Sequence, residues 1–444
     1  MSLARSGWAL LLLAACAAAQ RDAVEVLARF GEISRGNASH IPNYTCVETI
    51  ERQYYRARFA APPRDCDDLS AARKKRGYKL TLESADRLRL DVRAGLTAEM
   101  YSWPGANRFE DRELWDIIGY GPSASGPFAA SLREVVQGDA TDFSFVEEVE
   151  AGGRKLFQYS FRVPADKSHY FIYLPDGAIA TAWDGTLLLD PETSELARMT
   201  TRTSELPPEA SACELTTASD YGLVKLGGRE FPLSRETRQR FIDRSGDEVE
   251  SIVTFSACRE YRAESKVSFG VAAGAAPAGP AKAIPAPRLD LPAGLPVTIE
   301  LTSGIDSATS AGGDRFAGRL AKPVLDERKR ILAPEGAAVA GRLIKVAVHM
   351  QPPEVAIILN VETVQIDGAE VPFHLAGRIP PPKGEWLREI LSNLTIGVGG
   401  GQAGGIRVER SPVVFEGELN ALSFPGTRKV LDPGFKTEWV TVRP

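Results

Sequence analysis

Basic residues are not in excess. The 53 lysines and arginines stand against 58 acidic residues, a formal net charge of -5 over 444 residues. A nucleic-acid surface normally needs a basic excess or stripe, so that partner class is set aside. The one compact basic run, Arg73-Lys74-Lys75-Arg76, reads as a solvated turn. Histidine is scarce. His40, His169, His349 and His374 are far apart, there is no HExxH, and each reads as a structural or surface residue. No two cysteines have CxxC spacing and none has a histidine at ligand distance, which argues against zinc. Away from the N-terminus no apolar run reaches the roughly 20 residues of a membrane-spanning helix. Short-period repeats are absent as well. Gly399, Gly401 and Gly404 satisfy GxGxxG without a βαβ context, and Gly121-Pro122-Ser123-Ala124-Ser125-Gly126 misses the nucleophile-elbow spacing by one residue. Both read as loops, and no cofactor or metal is implied.

The start of the chain is more informative. Residues 1–19 carry a charge at Arg5, an apolar stretch from Ala9 to Ala15 and small residues at Ala17-Ala18-Ala19. That is the pattern of a removable export signal, too short to be a membrane span. Cleavage before Gln20 by an ordinary signal peptidase is one outcome. The other rests on Leu13-Ala14-Ala15-Cys16, which resembles the lipobox of bacterial lipoproteins. That resemblance implies lipidation of Cys16 and anchoring in a membrane, since more than one acyl chain gives stable attachment. Both outcomes place the mature protein outside the cytoplasm, either free in the periplasm or anchored at the outer membrane.

Without Cys16 the chain keeps Cys46, Cys66, Cys213 and Cys258, an even set that suits an oxidising compartment. Of the three possible pairings, Cys46 with Cys66 and Cys213 with Cys258 is favoured, because each pair falls within one local unit. An Ala/Pro/Gly-rich stretch, residues 270–294, reads as a flexible linker between residues 20–269 and residues 295–444. In the first region Ala23, Val26, Leu27 and Phe30 have helical spacing behind Asp22. Further helical patterns lie around residues 112–118 and 128–136. Alternating patterns predict strands at 80–82, 88–92, 143–149, 155–163, 169–174, 196–204, 214–226, 230–240 and 248–261. Gly227-Gly228 and Ser245-Gly246-Asp247 are hairpin turns. The fold class is therefore mainly β (α+β), an antiparallel sheet domain with helices followed by a small C-terminal β-barrel.

Trp183-Asp184-Gly185-Thr186-Leu187-Leu188-Leu189-Asp190-Pro191-Glu192-Thr193, an apolar strand ending in an Asp-Pro-x-Thr turn, resembles the LolA and RseB envelope proteins. The resemblance implies a curved sheet whose concave face receives acyl chains or a peptide. Ile41 to Arg52, Tyr101-Ser102-Trp103-Pro104-Gly105-Ala106 and Cys258-Arg259-Glu260-Tyr261 are similar to a group of bacterial envelope proteins to which no activity is attached. After the linker, Leu295 to Phe373 resembles the TrbI-type β-barrel of type IV secretion systems, which carries a helical insertion. A matching helix near residues 385–395 would put Trp386, Leu387, Ile390, Leu391 and Leu394 on one face, either for a partner or for packing on its own barrel.

Acid–base candidates exist: Asp184 with Asp190, and Asp65, Asp67 and Asp68. Turn and capping roles explain these residues equally well. The expected function is non-enzymatic: an anchored periplasmic lipoprotein that binds a lipid, another apolar ligand or a peptide. An interaction scaffold for an envelope protein partner is the alternative, and a hydrolase without recognised motifs comes third. A lipid binder requires an apolar cavity under the N-terminal sheet, because each buried methylene contributes about 0.8 kcal/mol.

Overall fold

The computed structural model describes residues 4–94, 99–106, 109, 135, 141–168, 171–174, 177–203, 206, 212–261, 291–377, 405–407 and 419–443. The chain divides into two compact units. One comprises residues 1–260 with 392–413, the other residues 261–391 with 414–444. The described residues are mainly β.

Helix α1 (Ala4–His40) joins the expected leader and the Asp22–Phe30 pattern in one run. Ala23, Val26 and Phe30 are buried, at the helical spacing read from the sequence. The helix stops before Pro42, which cannot continue it; Ile41 N–H still reaches Asn37 O at 2.9 Å. Among the described residues no helix is long and apolar enough to cross a membrane.

The first unit is built from β1 (Tyr44–Arg58), α2 (Cys66–Arg73), β2 (Lys79–Ala94), β3 (Met100–Ser102), β4 (Asp142–Ala151), β5 (Arg154–Val163), β6 (Phe171–Leu174), β7 (Gly177–Ala180), β8 (Trp183–Leu189), β9 (Leu196–Thr203), β10 (Ala212–Leu226), β11 (Arg229–Asp243) and β12 (Glu248–Glu260). Antiparallel ladders run in the order β3-β2-β1-β12-β11-β10-β9-β8-β5-β4. The first and last long strands are thus neighbours. The Gly227–Gly228 turn has φ of 56° and 92°, the left-handed values a tight hairpin between β10 and β11 needs. The helical patterns expected at 112–118 and 128–136 lie, apart from Val135, outside the described residues.

Two apolar cores flank this sheet. In one, α1 lays Ala23, Val26 and Phe30 against Tyr159, Phe161, Trp183, Leu187, Leu189, Leu196 and Met199 of β5, β8 and β9. Phe161 meets Trp183 edge-on at 5.5 Å, a geometry worth about 0.5–1.5 kcal/mol beyond area burial. Tyr159 Oη donates to Ala23 O at 2.7 Å and fixes the helix on the sheet. Burial pushes that phenol up to about 12, so it remains a donor. The second core gathers Tyr44, Cys46, Ile50, Leu88, Leu90, Val92, Tyr101, Phe231, Leu233 and Val253 of β1, β2, β3, β11 and β12.

The second unit contains β13 (Pro296–Leu301), β14 (Ile305–Asp306), β15 (Arg315–Leu320), β16 (Val324–Leu325), β17 (Ile331–Ala333), β18 (Ala338–Met350), β19 (Pro353–Ile366), β20 (Ala369–Pro372) and β21 (Leu375–Gly377). The short β22 (Gly405–Arg407) belongs to the first unit, and β23 (Leu419–Pro425), β24 (Val430–Leu431) and β25 (Lys436–Thr441) complete the second. Its main ladder runs β23-β19-β18-β15-β13-β25-β21, with β20 also on β19. The expected barrel is not closed by backbone pairing among the described residues. Across the gap, Asn420 Nδ2 of the end strand β23 donates to Glu438 O of β25, the neighbour of the other end strand, at 3.0 Å. Val297, Ile299, Phe316, Ile357, Leu359, Phe373 and Trp439 fill its core.

The disulfide pairing expected from sequence proximity is wrong. The bonds are Cys46–Cys258, between Cα atoms 4.1 Å apart, and Cys66–Cys213, 5.3 Å apart. Pairing β1 with β12 sets Cys46 beside Cys258 across 212 residues of chain. Cys66 opens α2, whose Leu69 packs with Cys213 and Ile242. Non-reducing peptide mapping is expected to recover these two cross-links. Cys66→Ala with Cys213→Ala should lower stability in urea by about 2–4 kcal/mol; recovery of a Cys46–Cys66 peptide from native protein would refute the ladder that joins β1 to β12.

Candidate functional site

The turn between β8 and β9 carries the sequence motif noted above, and it builds one wall of a pocket. Asp190 Oδ1 accepts from the backbone N–H of Glu192 at 2.9 Å and of Thr193 at 3.0 Å. Ser194 N–H returns to Asp190 O at 2.8 Å. Ser194 is fully buried with φ of 58°, a left-handed conformation that costs a non-glycine residue about 1–3 kcal/mol. Helix α1 reaches the same turn through Arg29 Nη1 to Glu192 O, 3.4 Å. Asp190 is thus a turn former here, and Asp184 stands on β8 opposite Arg162 of β5 and Arg202 of β9.

Beside this turn lies a pocket of about 360 Å³, lined by Arg154 at the start of β5, Asp190, Glu195, Leu196 and Ala197, Tyr221 to Leu223 on β10, and Pro232 and Arg235 on β11. Leu196 and Tyr221 also belong to or pack on the aromatic core under α1, so the pocket has an apolar wall continuous with that core. Charged groups stand on the other walls. Arg235 Nη2 donates to Leu223 O at 3.0 Å, its side chain lying over Gly222. A Cβ at Gly222 would sit 2.1 Å from Arg235 Nε, so glycine is what lets the guanidinium lie there. Arg154 is 62% exposed and 3.9 Å from Asp190, a surface pair worth at most about 1 kcal/mol and free to exchange partners. Two guanidinium groups near an apolar wall suit a ligand with an anionic end, because the planar fork binds carboxylate or phosphate in a bidentate way.

A second polar group sits inside the other core. Residues 44, 46, 48, 50 and 52 of β1 alternate onto the buried face, and two of them are charged types. Arg52 is 1% exposed and donates from Nε and Nη2 to the two Asp86 oxygens at 2.8 and 2.7 Å. Burial alone would lower the Arg52 pKa, but the Asp86 carboxylate outweighs it and holds the pair ionised. Glu48 has no such partner: among the described residues neither carboxyl oxygen has a hydrogen bond, and the residue is fully buried. Burial, and secondly the charge of Glu99, raise its pKa well above the carboxylate range. Tyr101 donates to Glu99 at 2.6 Å, and burial raises the Tyr101 and Tyr44 phenols as well.

The remaining sequence candidates have structural explanations or fall elsewhere. Asp65 caps α2, accepting from Asp68 N–H at 2.8 Å; Asp68 pairs with Arg64, and Asp67 lies in the first turn of α2. Arg73 pairs with the buried Glu248, so the basic run is tied down at its first residue. His349 Nδ1 meets Pro352 O at 3.0 Å, and His40 closes α1 on Gly36 O at 2.8 Å. Among the described residues no cluster of three metal-ligating side chains occurs. Cys16 stands within α1. His169, the GxGxxG run and Trp386, Leu387, Ile390, Leu391 and Leu394 lie outside the described residues. The sequence did not single out Arg154, Tyr221 or Arg235, because their convergence depends on three separate hairpins; nor did it single out Glu48.

Glu48 gives a signed test. A carboxyl whose folded pKa is raised costs nothing below its unfolded pKa near 4.3, and progressively destabilises the fold as pH rises toward the folded value. Glu48→Gln removes that term. Its melting temperature should match wild type at pH 4 and exceed it by several degrees at pH 8. A difference independent of pH would show that Glu48 is not held neutral in the fold.

No protein-family model matches the chain, and no characterised protein matches its sequence. Solved structures overlap part of it. A LolA superfamily protein from Nitrosomonas europaea has TM-score 0.24 at 8% identity, over 52% of this chain and 94% of its own. An outer membrane lipoprotein-sorting protein domain from Vibrio parahaemolyticus has 0.25 at 9%, over 55% and 95%. A DUF1329 family protein from Desulfovibrio piger has 0.25 at 8%, over 55% and 95%. Overlaps at this level decide nothing about what the chain binds.

Proposed function

We propose that this chain is a non-enzymatic binding protein of the bacterial envelope, exported by its leader and anchored through a lipidated Cys16. Its ligand is amphipathic: a lipid or peptide with a short apolar part and an anionic end. The observation that carries this reading is the pocket of about 360 Å³ beside the β8–β9 turn, where Leu196 and Tyr221 face the apolar part and Arg154 and Arg235 the anionic end. Its volume is at the lower end of ligand pockets and suits partial burial of a chain, short of the deep apolar cavity that would enclose a whole acyl tail. The LolA-like resemblance of the turn agrees with this reading. The TrbI-type likeness of the second unit remains a resemblance of sequence, and a scaffold role draws on little there. Leu325 and Ile331, paired across β16 and β17, are 39% and 64% exposed, two side chains where a stable interface uses roughly 20–30 residues a side.

Isothermal titration with dodecanoate below its micellar concentration tests the pocket. Binding on the order of micromolar is expected; Arg235→Ala should weaken it about tenfold, and Ala197→Trp, which fills the pocket, should abolish it. Dodecanoate that fails to bind, or binds Ala197→Trp as well as wild type, removes the pocket reading. The anchor is tested separately by mass spectrometry of membrane-purified protein. A triacylated peptide beginning at Cys16, lost in Cys16→Ala, is expected, whereas a soluble chain beginning at Gln20 would leave a secreted binding protein.

A further inference from the structure

The pocket beside the β8–β9 turn is lined by carboxylates as well as by guanidinium groups: Arg154 and Arg235, and with them Asp190 and Glu195. The four are not equivalent. Asp190 Oδ1 is committed to the backbone of its own turn, and Oδ2 lies 3.9 Å from Arg154, so those two charges answer each other. Arg235 and Glu195 are left over. Arg235 donates to the Leu223 carbonyl and forms no ion pair among the described residues; the Glu195 side chain has neither an ion pair nor a hydrogen bond there. The backbone of Glu195 is nevertheless fixed. Its N–H donates to Thr193 Oγ1 at 3.3 Å and its carbonyl accepts from Asp190 N–H at 3.0 Å, so a defined turn presents a half-buried carboxylate that nothing in the protein engages.

A ligand that carries an anion alone satisfies Arg235 but meets Glu195 as a like charge. Binding also displaces water from the pocket, so the Glu195 carboxylate loses solvation and gains nothing in return. A cationic donor close to the ligand's anion turns that penalty into an attraction, and selects against ligands that lack it. A protonated primary amine suits this place, since ammonium is a compact charge with several donors for a carboxylate, while the guanidinium fork takes a carboxylate or phosphate.

We propose that Glu195 is the second charge-reading residue of this pocket and that the ligand is zwitterionic: an aliphatic amphiphile whose head group holds a primary ammonium beside its anion, the ammonium on Glu195 and the anion on Arg235. This rests on the binding role proposed for the pocket and narrows its ligand from anionic to zwitterionic. Two sources share such a head group, an aliphatic α-amino acid and an ethanolamine phospholipid.

Isothermal titration of the full chain at neutral pH, below micellar concentrations, compares ligands that differ only in the amine. Wild type should bind 2-aminododecanoate about fivefold more tightly than dodecanoate. Glu195→Gln should reverse that order, weakening binding of the amino acid and strengthening that of dodecanoate, a crossing that loss of folding does not produce. Dodecylphosphoethanolamine against monododecyl phosphate repeats the comparison on a phosphate anion, and the pair with the larger Glu195-dependent preference identifies the source of the head group. Equal binding of amine-bearing and amine-free ligands to wild type, or a preference for the amine that survives in Glu195→Gln, overturns the zwitterion and leaves the pocket reading in place. Dodecanoate that fails to bind removes the pocket reading, and this inference with it.

Discussion

The pairing of β1 with β12 is the constraint on which the first unit depends. It joins the first long strand to the last, in the middle of a ten-strand sheet whose outer strands are β3 and β4. The Cys46–Cys258 bond then holds that closure covalently across 212 residues. Contacts so distant in sequence are the slowest to form, since loop closure must precede any gain from the pairing. Cys66–Cys213 repeats the device at the other end of the sheet, tying α2 to β10. An oxidising compartment is therefore part of the fold's chemistry as well as an inference from cysteine parity.

Strand β1 also shows why part of the fold was hidden in the sequence. Most of the meander was legible, because β2, β4, β5 and β9 to β12 alternate apolar and polar residues and end in recognisable turns. β1 spans 15 residues with β-branched and aromatic types throughout, yet Glu48 and Arg52 occupy its buried row beside Cys46 and Ile50. Charged residues on the inner face break the alternation by which a half-buried strand is recognised. The structure accommodates the two in opposite ways. Arg52 stays ionised against Asp86, and removing either partner would leave a buried charge, a loss of about 3–5 kcal/mol. Glu48 gives up its charge instead. The disulfide connectivity was hidden for a related reason: local proximity is a poor guide when the first strand pairs with the last.

The pocket was half legible. Asp190-Pro191-Glu192-Thr193 announced a turn, and the turn forms with Asp190 as its acceptor. What the sequence could not give is the company it keeps, since Arg154, Tyr221 and Arg235 come from three strands whose order is set only once β5, β8, β9, β10 and β11 have paired. Gly222 is the most specific signal that could have been used. It interrupts an otherwise well-formed strand, and such a residue marks a close approach by a neighbour. Here that neighbour is Arg235.

Tyr221 links the pocket to the polar group in the second core. It lines the pocket and packs against the aromatic residues under α1, and it is also one of the groups that raise the Tyr44 phenol, itself in the core beside β1. Tyr221 stands at the bulge between Asp220 and Tyr221, where the β10–β11 register shifts. Glu48 belongs to the same neighbourhood: after burial, the charge of Glu99 raises its pKa together with those of Tyr101 and Tyr44.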